Sequence, residues 1–231
     1  MKTIGVIGGM SWESTAFYYR MLNEGVKARL GGLHSAKIAM LSVDFDEIEA
    51  LQASDDWVRA GEILGDCGLR LKAAGADFLL IATNTMHMVA DQVEAVSGLP
   101  LVHIADATGE KIKQKQFKKV GLLATAYTME KAFYRNRLED RFGVEVITPD
   151  ADDRAEVHRI IYEELCLGSV LDSSRDHYLA CIEKMRAQGA EAVILGCTEI
   201  GMLITDNHTD LPIMDTTAIH AETAVSWALA D

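Results

Sequence analysis

Two stretches of the chain end in residues able to move a proton. GADFLLIATNT runs from Gly75 to Thr85, and GAEAVILGCTE from Gly189 to Glu199. Each opens on Gly-Ala and continues through an apolar run. Eight residues after its glycine, each reaches a hydroxyl or a thiol: Thr83 in the first, Cys197 in the second. A thiol near a helix N-terminus sees partial positive charge, which lowers its pKa and raises the fraction of thiolate. Cys197, with Thr198 and Glu199 after it, is accordingly the leading candidate for chemistry; a buried structural cysteine is the plain alternative. Cys67, Cys166 and Cys181 lie in helix-like segments and read as small buried hydrophobes. There is no C-x-x-C pair, and no cysteine reads as lying near a histidine at ligand spacing, so no metal is expected.

The residues that follow these positions are short and polar. Asn84 and Thr85 follow Thr83, and Thr198 and Glu199 follow Cys197. Backbone N–H groups at such strand-to-helix turns can cradle an anion, and the same donors serve in plain helix capping. Gly8-Gly9-Met10-Ser11 and Ala124-Thr125 are expected to form comparable turns. Gly8-Gly9 does not make G-x-G-x-x-G, and no G-x-x-x-x-G-K-[ST] occurs, so both nucleotide fingerprints are absent. His87 is a conceivable general acid or base, though a packing or capping histidine is the more ordinary reading, and more so for His220.

Short apolar runs alternate with longer helical patterns, which argues for βαβ units and parallel sheets. Strands are expected at 3–8, 37–43, 78–82 and 101–104, with helices at 11–30, 56–74 and 85–96. The second half repeats the plan, with strands at 118–125, 145–148 and 192–195. Its helices are expected at 127–142, 153–167, 174–188 and 217–229. Lys118–Thr125 resembles Lys2–Gly9, and Leu211-Pro-Ile-Met-Asp215 echoes Leu99-Pro-Leu-Val-His103. Three matched pairs in one order indicate an internal duplication. The expected architecture is α/β: two similar parallel-sheet domains related by pseudo-twofold symmetry, residues 1–105 plus 216–231 and residues 106–215, joined near 106–118. Ligands of open parallel sheets bind at the carboxyl ends of strands. Thr83 and Cys197 are therefore expected to meet across one cleft.

The 231 residues carry a formal net charge of −13, which argues against nucleic acid and anionic membrane surfaces as partners. The apolar runs are too short to span a bilayer, and Met1-Lys2-Thr3-Ile4-Gly5 has no leader pattern, so the cytoplasm is the expected location.

The segments IGVIGGMSWEST, GGLHSA, ATNTMHMVAD, LLATAYTME and ILGCTEIG resemble the aspartate/glutamate racemase superfamily, most closely its aspartate-racemase and broad-specificity amino-acid-racemase branch. The resemblance runs nearly end to end. It implies a homodimeric, cofactor-independent (PLP-independent) enzyme with its site between two α/β domains. In that family one cysteine removes the α-proton of an amino acid and a second reprotonates the opposite face. Here the second cysteine is present as Cys197, facing the α-proton of the L-enantiomer, while Thr83 stands where the first belongs. A threonine hydroxyl is far less acidic than a thiol, so a symmetric two-thiol mechanism does not carry over. The resemblance also implies that Asn84, Thr85, Thr198, Thr125 and Thr128 grip the α-carboxylate, with Glu199 beside them, and that Met10 and Gln52 contact the substrate. Some aspartate-specific relatives place an arginine near the Gln52 position. Glutamine equally suits an amide or an uncharged side chain, with L-aspartate or L-glutamate the first choice. The rivals are a single-cysteine decarboxylase or isomerase of the same superfamily and a catalytically silent amino-acid-binding protein.

Overall fold

The computed structural model describes residues 1–230. The chain divides into two compact units, Met1–Ile104 with His220–Asp231, and Ala105–Ile219.

The first unit contains β1 (Ile4–Gly8), α1 (Trp12–Leu30), β2 (Ile38–Ser42), α2 (Phe45–Ala53), α3 (Trp57–Ala73) and β3 (Phe78–Ile81). A 3-10 turn over Thr85–Val89 and α4 (Ala90–Ser97) follow. The strands make a parallel sheet in the order β2-β1-β3. β1 and β3 are buried along their whole length, as parallel strands with both faces covered must be. Their side chains alternate between two cores, following the two-residue period of a strand. Ile7, Leu79 and Ile81 join one cluster with Leu64, Leu71 and Val93 from α3 and α4. Ile4, Val6, Phe78 and Leu80 join the other with Tyr18, Leu22 and Val26 from α1. Each such fully buried side chain contributes about 1.5–3 kcal/mol relative to exposure.

α1 starts where Ser11 caps it, its hydroxyl accepting from Ser14 N at 3.3 Å. Just before it, Gly9 has φ +98°, and a Cβ there would lie 2.6 Å from Val43 N. Only glycine fits both the backbone and the space.

The second unit runs through α5 (Ile104–Lys115), which starts in the last residue of the first, then β4 (Lys119–Ala124), α6 (Ala126–Glu130), α7 (Ala132–Phe142), β5 (Glu145–Ile147), α8 (Ala151–Glu163), α9 (Asp172–Ala187), β6 (Ala192–Gly196), α10 (Ile200–Leu203) and β7 (Ile213–Asp215). Its strands are parallel in the order β5-β4-β6-β7. The last helix, α11 (Thr216–Leu229), contributes Ala221, Ala224, Val225 and Ala228 to the first unit's core.

The parallel α/β architecture holds, with several local corrections. The strand expected at 101–104 reduces to one bridge, Leu101 to Leu79, because Ile104 already opens α5. The segment 106–118, expected as a connection, is mostly that helix. Three helices expected to be continuous are interrupted. Lys131 is extended (φ −79°, ψ 147°) between α6 and α7. Glu164 (φ −124°, ψ −67°) separates α8 from a 3-10 turn over Leu165–Leu167. The segment at 85–96 starts as a 3-10 turn and becomes α-helical at Ala90. No helix among the described residues is long and apolar enough to cross a membrane.

Candidate active site

β6 ends at Gly196, and the chain turns at once through Cys197, Thr198 and Glu199 into α10. Cys197 and Thr198 are half-buried, and Glu199 is buried at 5% exposure. One carboxylate oxygen, Glu199 Oε2, accepts from Cys197 Sγ at 3.0 Å and from Thr198 Oγ1 at 2.6 Å. The thiol is thus aimed by a carboxylate two residues on.

This geometry reverses the expected electrostatics. Burial pushes the Cys197 thiol well above its ordinary range, and the Glu199 charge beside it adds to the rise, followed by Cys166. Against these, α10 has four residues. A helix that short brings few aligned peptide dipoles to its start. At neutral pH Cys197 therefore holds its proton and donates it to Glu199. What the arrangement offers is a proton-transfer pair: a thiol, and a buried acceptor already in hydrogen-bond contact with it.

The corresponding turn of the first unit follows β3. Thr83 is half-buried, and Asn84, Thr85 and His87 are buried. Here the support is an imidazole. His87 Nδ1 lies 2.8 Å from the Thr83 carbonyl oxygen, so that nitrogen carries the hydrogen and donates it. The His87 ring packs against His103 and His220, with centroids 4.8 and 5.4 Å away. His220 Nε2 donates to Val102 O at 2.7 Å, leaving Nδ1 to accept from Tyr18 Oη at 2.9 Å. Burial pushes His220 down to about 3, so it is neutral. Ser14 Oγ donates to Ala82 O at 3.2 Å, which ties the start of α1 to the end of β3.

The remaining expected residues fall into two groups. Met10 is buried in the same core cluster as Met86, and Gln52 Nε2 lies 3.0 Å from Met86 Sδ. Met10, Gln52, Thr83, Asn84 and Thr85 thus belong to the first unit. In the second, Thr125 caps α6, with its Oγ1 3.3 Å from Thr128 Oγ1. His158 Nδ1 accepts from Ala126 N at 3.2 Å, and its ring packs on Tyr127 and Tyr162. Sequence reasoning missed His158. The available signal was weak: His158 and Tyr162, four apart, share one face of α8.

The chain matches the model of the Asp/Glu/Hydantoin racemase family over residues 7–224. A crystal structure from Yersinia pestis, described as a candidate Asp/Glu racemase, is 57% identical with a TM-score of 0.94, covering 100% of both chains. That of an aspartate racemase homologue from Pyrococcus horikoshii OT3 is 34% identical with a TM-score of 0.87, again covering 100% of both. The broad specificity amino-acid racemase RacX of Bacillus subtilis is 27% identical over 165 residues, 71% of this chain and 70% of RacX. With a match spanning both units and both proton-bearing turns, the chain belongs to the Asp/Glu/Hydantoin racemase family and is an isomerase of the racemase class.

Proposed function

We propose that the protein racemises acidic amino acids without a cofactor, using Cys197 to remove the α-proton of L-aspartate or L-glutamate. The observation that carries the proposal is the Cys197 thiol hydrogen-bonded to a buried carboxylate at the end of β6, while the matching position after β3 holds only Thr83. The acidic substrate follows the Pyrococcus relative, named for aspartate. The α-carboxylate is assigned to the turns carrying Asn84, Thr85, Thr125, Thr128 and Thr198, and the substrate contacts to Met10 and Gln52.

The steps balance as follows. Glu199 takes the thiol proton, leaving a thiolate. The thiolate accepts the α-proton, so a C–H bond breaks and an S–H bond forms, and the electron pair stays on carbon beside the carboxylate. Return of a proton from Cys197 regenerates the L-enantiomer. Delivery from the other face, where Thr83 or a water held by it is the donor, gives the D-enantiomer; the alkoxide or hydroxide left there takes a proton from solvent, Glu199 gives its proton up to solvent, and Cys197 keeps the α-proton as its thiol proton. The proposal requires the α-carbon to lie within reach of both groups. A thiol whose pKa is raised forms a scarcer but stronger base, which suits a weakly acidic C–H bond.

The two enantiomers should therefore behave unequally in deuterated buffer. L-aspartate should lose its α-proton signal faster than it inverts, because Cys197, once its S–H has exchanged with the deuterated solvent, usually reprotonates the face it deprotonated. D-aspartate should exchange about tenfold more slowly or worse, since a hydroxyl is a poor base at neutral pH. kcat/KM for full interconversion stays equal in both directions, because enantiomers have equal free energy in achiral solvent. Proton NMR beside chiral chromatography measures both quantities. Equal exchange rates for the two enantiomers below saturation would sink the asymmetric reading. Release of carbon dioxide from a malonate, with no exchange into amino acids, would favour the single-thiol decarboxylase instead.

A further inference from the structure

We propose that Asp153, His177 and Cys181 form a binding site for a zinc-like divalent transition metal, on the helix pair α8 and α9 of the second unit. Among the described residues this is the group of three whose ligand atoms all lie within 4.8 Å of one another. The sequence reading found no cysteine near a histidine at ligand spacing. His177 and Cys181, four apart on α9 and so on one face of it, overturn that expectation.

The distances suit a small tetrahedral ion. His177 Nε2 lies 3.6 Å from Cys181 Sγ and 3.8 Å from Asp153 Oδ1. Zinc bonded to nitrogen at ~2.0 Å and sulfur at ~2.3 Å sets those two atoms roughly 3.5 Å apart, and nitrogen and oxygen roughly 3.3 Å apart. These two pairs need to close by only a few tenths of an ångström, and the third, Cys181 with Asp153, lies within 4.8 Å. Asp153 is also held on its far side: Lys184 Nζ donates to Oδ2 at 2.6 Å, which leaves Oδ1 toward His177. A carboxylate oriented by a second partner is the usual support of a metal ligand. Asp150, which caps α8, lies 3.7 Å from the same ammonium and offsets its charge.

The donor set selects the ion. One sulfur, one imidazole nitrogen and one carboxylate oxygen suit zinc, cobalt or nickel; calcium and magnesium take all-oxygen sets. Cys181 and Asp153 are buried, while the His177 side chain is 28% exposed and gives the ion a way in. Three protein ligands leave a fourth position for water. A bound ion joins α8 to α9 by three bonds, and so should stabilise the folded form by mass action.

The test is a cobalt titration of tag-free Cys197→Ala protein, which removes the half-buried thiol of the candidate active site. We expect a saturable thiolate-to-cobalt charge-transfer band at one equivalent, displaced by zinc. Cys181→Ser should abolish the band, and His177→Gln should weaken binding at least tenfold. Zinc should raise the thermal unfolding midpoint of the parent and leave that of the Cys181→Ser protein unmoved. Far-ultraviolet dichroism in chelator checks that each variant is folded; if Cys181→Ser is not, the half-exposed His177→Gln decides alone. A titration with no charge-transfer band overturns the proposal. So does a band of equal strength and affinity in a folded variant lacking Cys181 or His177.

Discussion

The turn after β3 and the turn after β6 share a plan and differ in what supports the proton-bearing residue. Both follow a fully buried parallel strand, and both present a half-buried side chain at its end: Thr83, after the buried Ala82, in one, and Cys197 directly in the other. In the first unit the support is a donor, the His87 ring on the Thr83 carbonyl, backed by the neutral His220. In the second it is an acceptor, the Glu199 carboxylate on the Cys197 thiol. The asymmetry therefore extends beyond one residue. An imidazole that donates to a backbone carbonyl positions that backbone. A carboxylate on a thiol can take the proton, and its charge also keeps the thiol protonated until a substrate arrives.

The comparison breaks most sharply at Cys197. Cys197→Ala should reduce Cα exchange of L-aspartate by about 10⁴-fold, the upper range for loss of a proton-transfer group, while binding by calorimetry survives. Exchange persisting at a tenth of the parental rate would move the base elsewhere. Glu199→Gln should act in two opposite ways at once. With the negative charge gone, one cause of the raised thiol pKa is gone, so alkylation of Cys197 by iodoacetamide at neutral pH should speed up. In both proteins alkylation should rise with pH as the thiolate forms, and the Glu199→Gln curve should lie at lower pH. Cα exchange should nonetheless fall about 10²-fold, because the proton acceptor is lost. Faster alkylation with undiminished exchange would reduce Glu199 to an electrostatic neighbour.

Thr83→Cys sharpens the comparison from the other side. Racemisation should rise about tenfold or more, read by chiral chromatography from either enantiomer, since a thiol is a far better acid and base than a hydroxyl near neutral pH. The gain should fall short of full symmetry, because the new thiol gains no partner equivalent to Glu199. Unchanged rates in a folded variant would mean that another group already serves that face.

How much of this was readable in advance follows from which interactions are local. The strands were legible because a parallel strand covered on both faces must be apolar throughout, as Phe78–Ile81 and Ala192–Gly196 are. The paired Gly-Ala runs then located Thr83 and Cys197 at strand ends. The breaks at Lys131 and Glu164 were hidden, since neither residue type stops a helix by itself. Glu164 leaves helical geometry where its carboxylate is taken by Ser174 and Arg159, a tertiary arrangement. Glu199 was singled out in the sequence beside Cys197, but not as the partner of its thiol. Whether a carboxylate two positions along points back at Sγ depends on the dihedrals of the turn. The sign of the Cys197 shift was missed for the same reason: burial and one nearby charge outweigh a four-residue helix.

The smallest effect tests the neutrality of the first unit's support and is read in stability. His220 is held down to about 3 by burial, against an ordinary value of 6.5. The folded form keeps it neutral while the unfolded chain protonates it below about 6.5. Between those two values the unfolded state binds one more proton than the folded state. Stability therefore rises with pH there, and falls as the pH drops from about 6.5 toward 3. One proton corresponds to about 1.4 kcal/mol per pH unit. His220→Gln removes the titration while leaving an amide able to donate to Val102 O and accept from Tyr18 Oη, as the two hydrogen bonds of the His220 ring require. Urea unfolding at a series of pH values between 4 and 6 should then show a slope shallower by about 1.4 kcal/mol per pH unit than the parent. The variant should lose least, relative to the parent, at the acid end. An unchanged slope would mean that His220 takes up its proton inside the fold. The ring beside His87 would then be charged in mild acid, and the contrast between a neutral first turn and a charged second one would hold only near neutral pH.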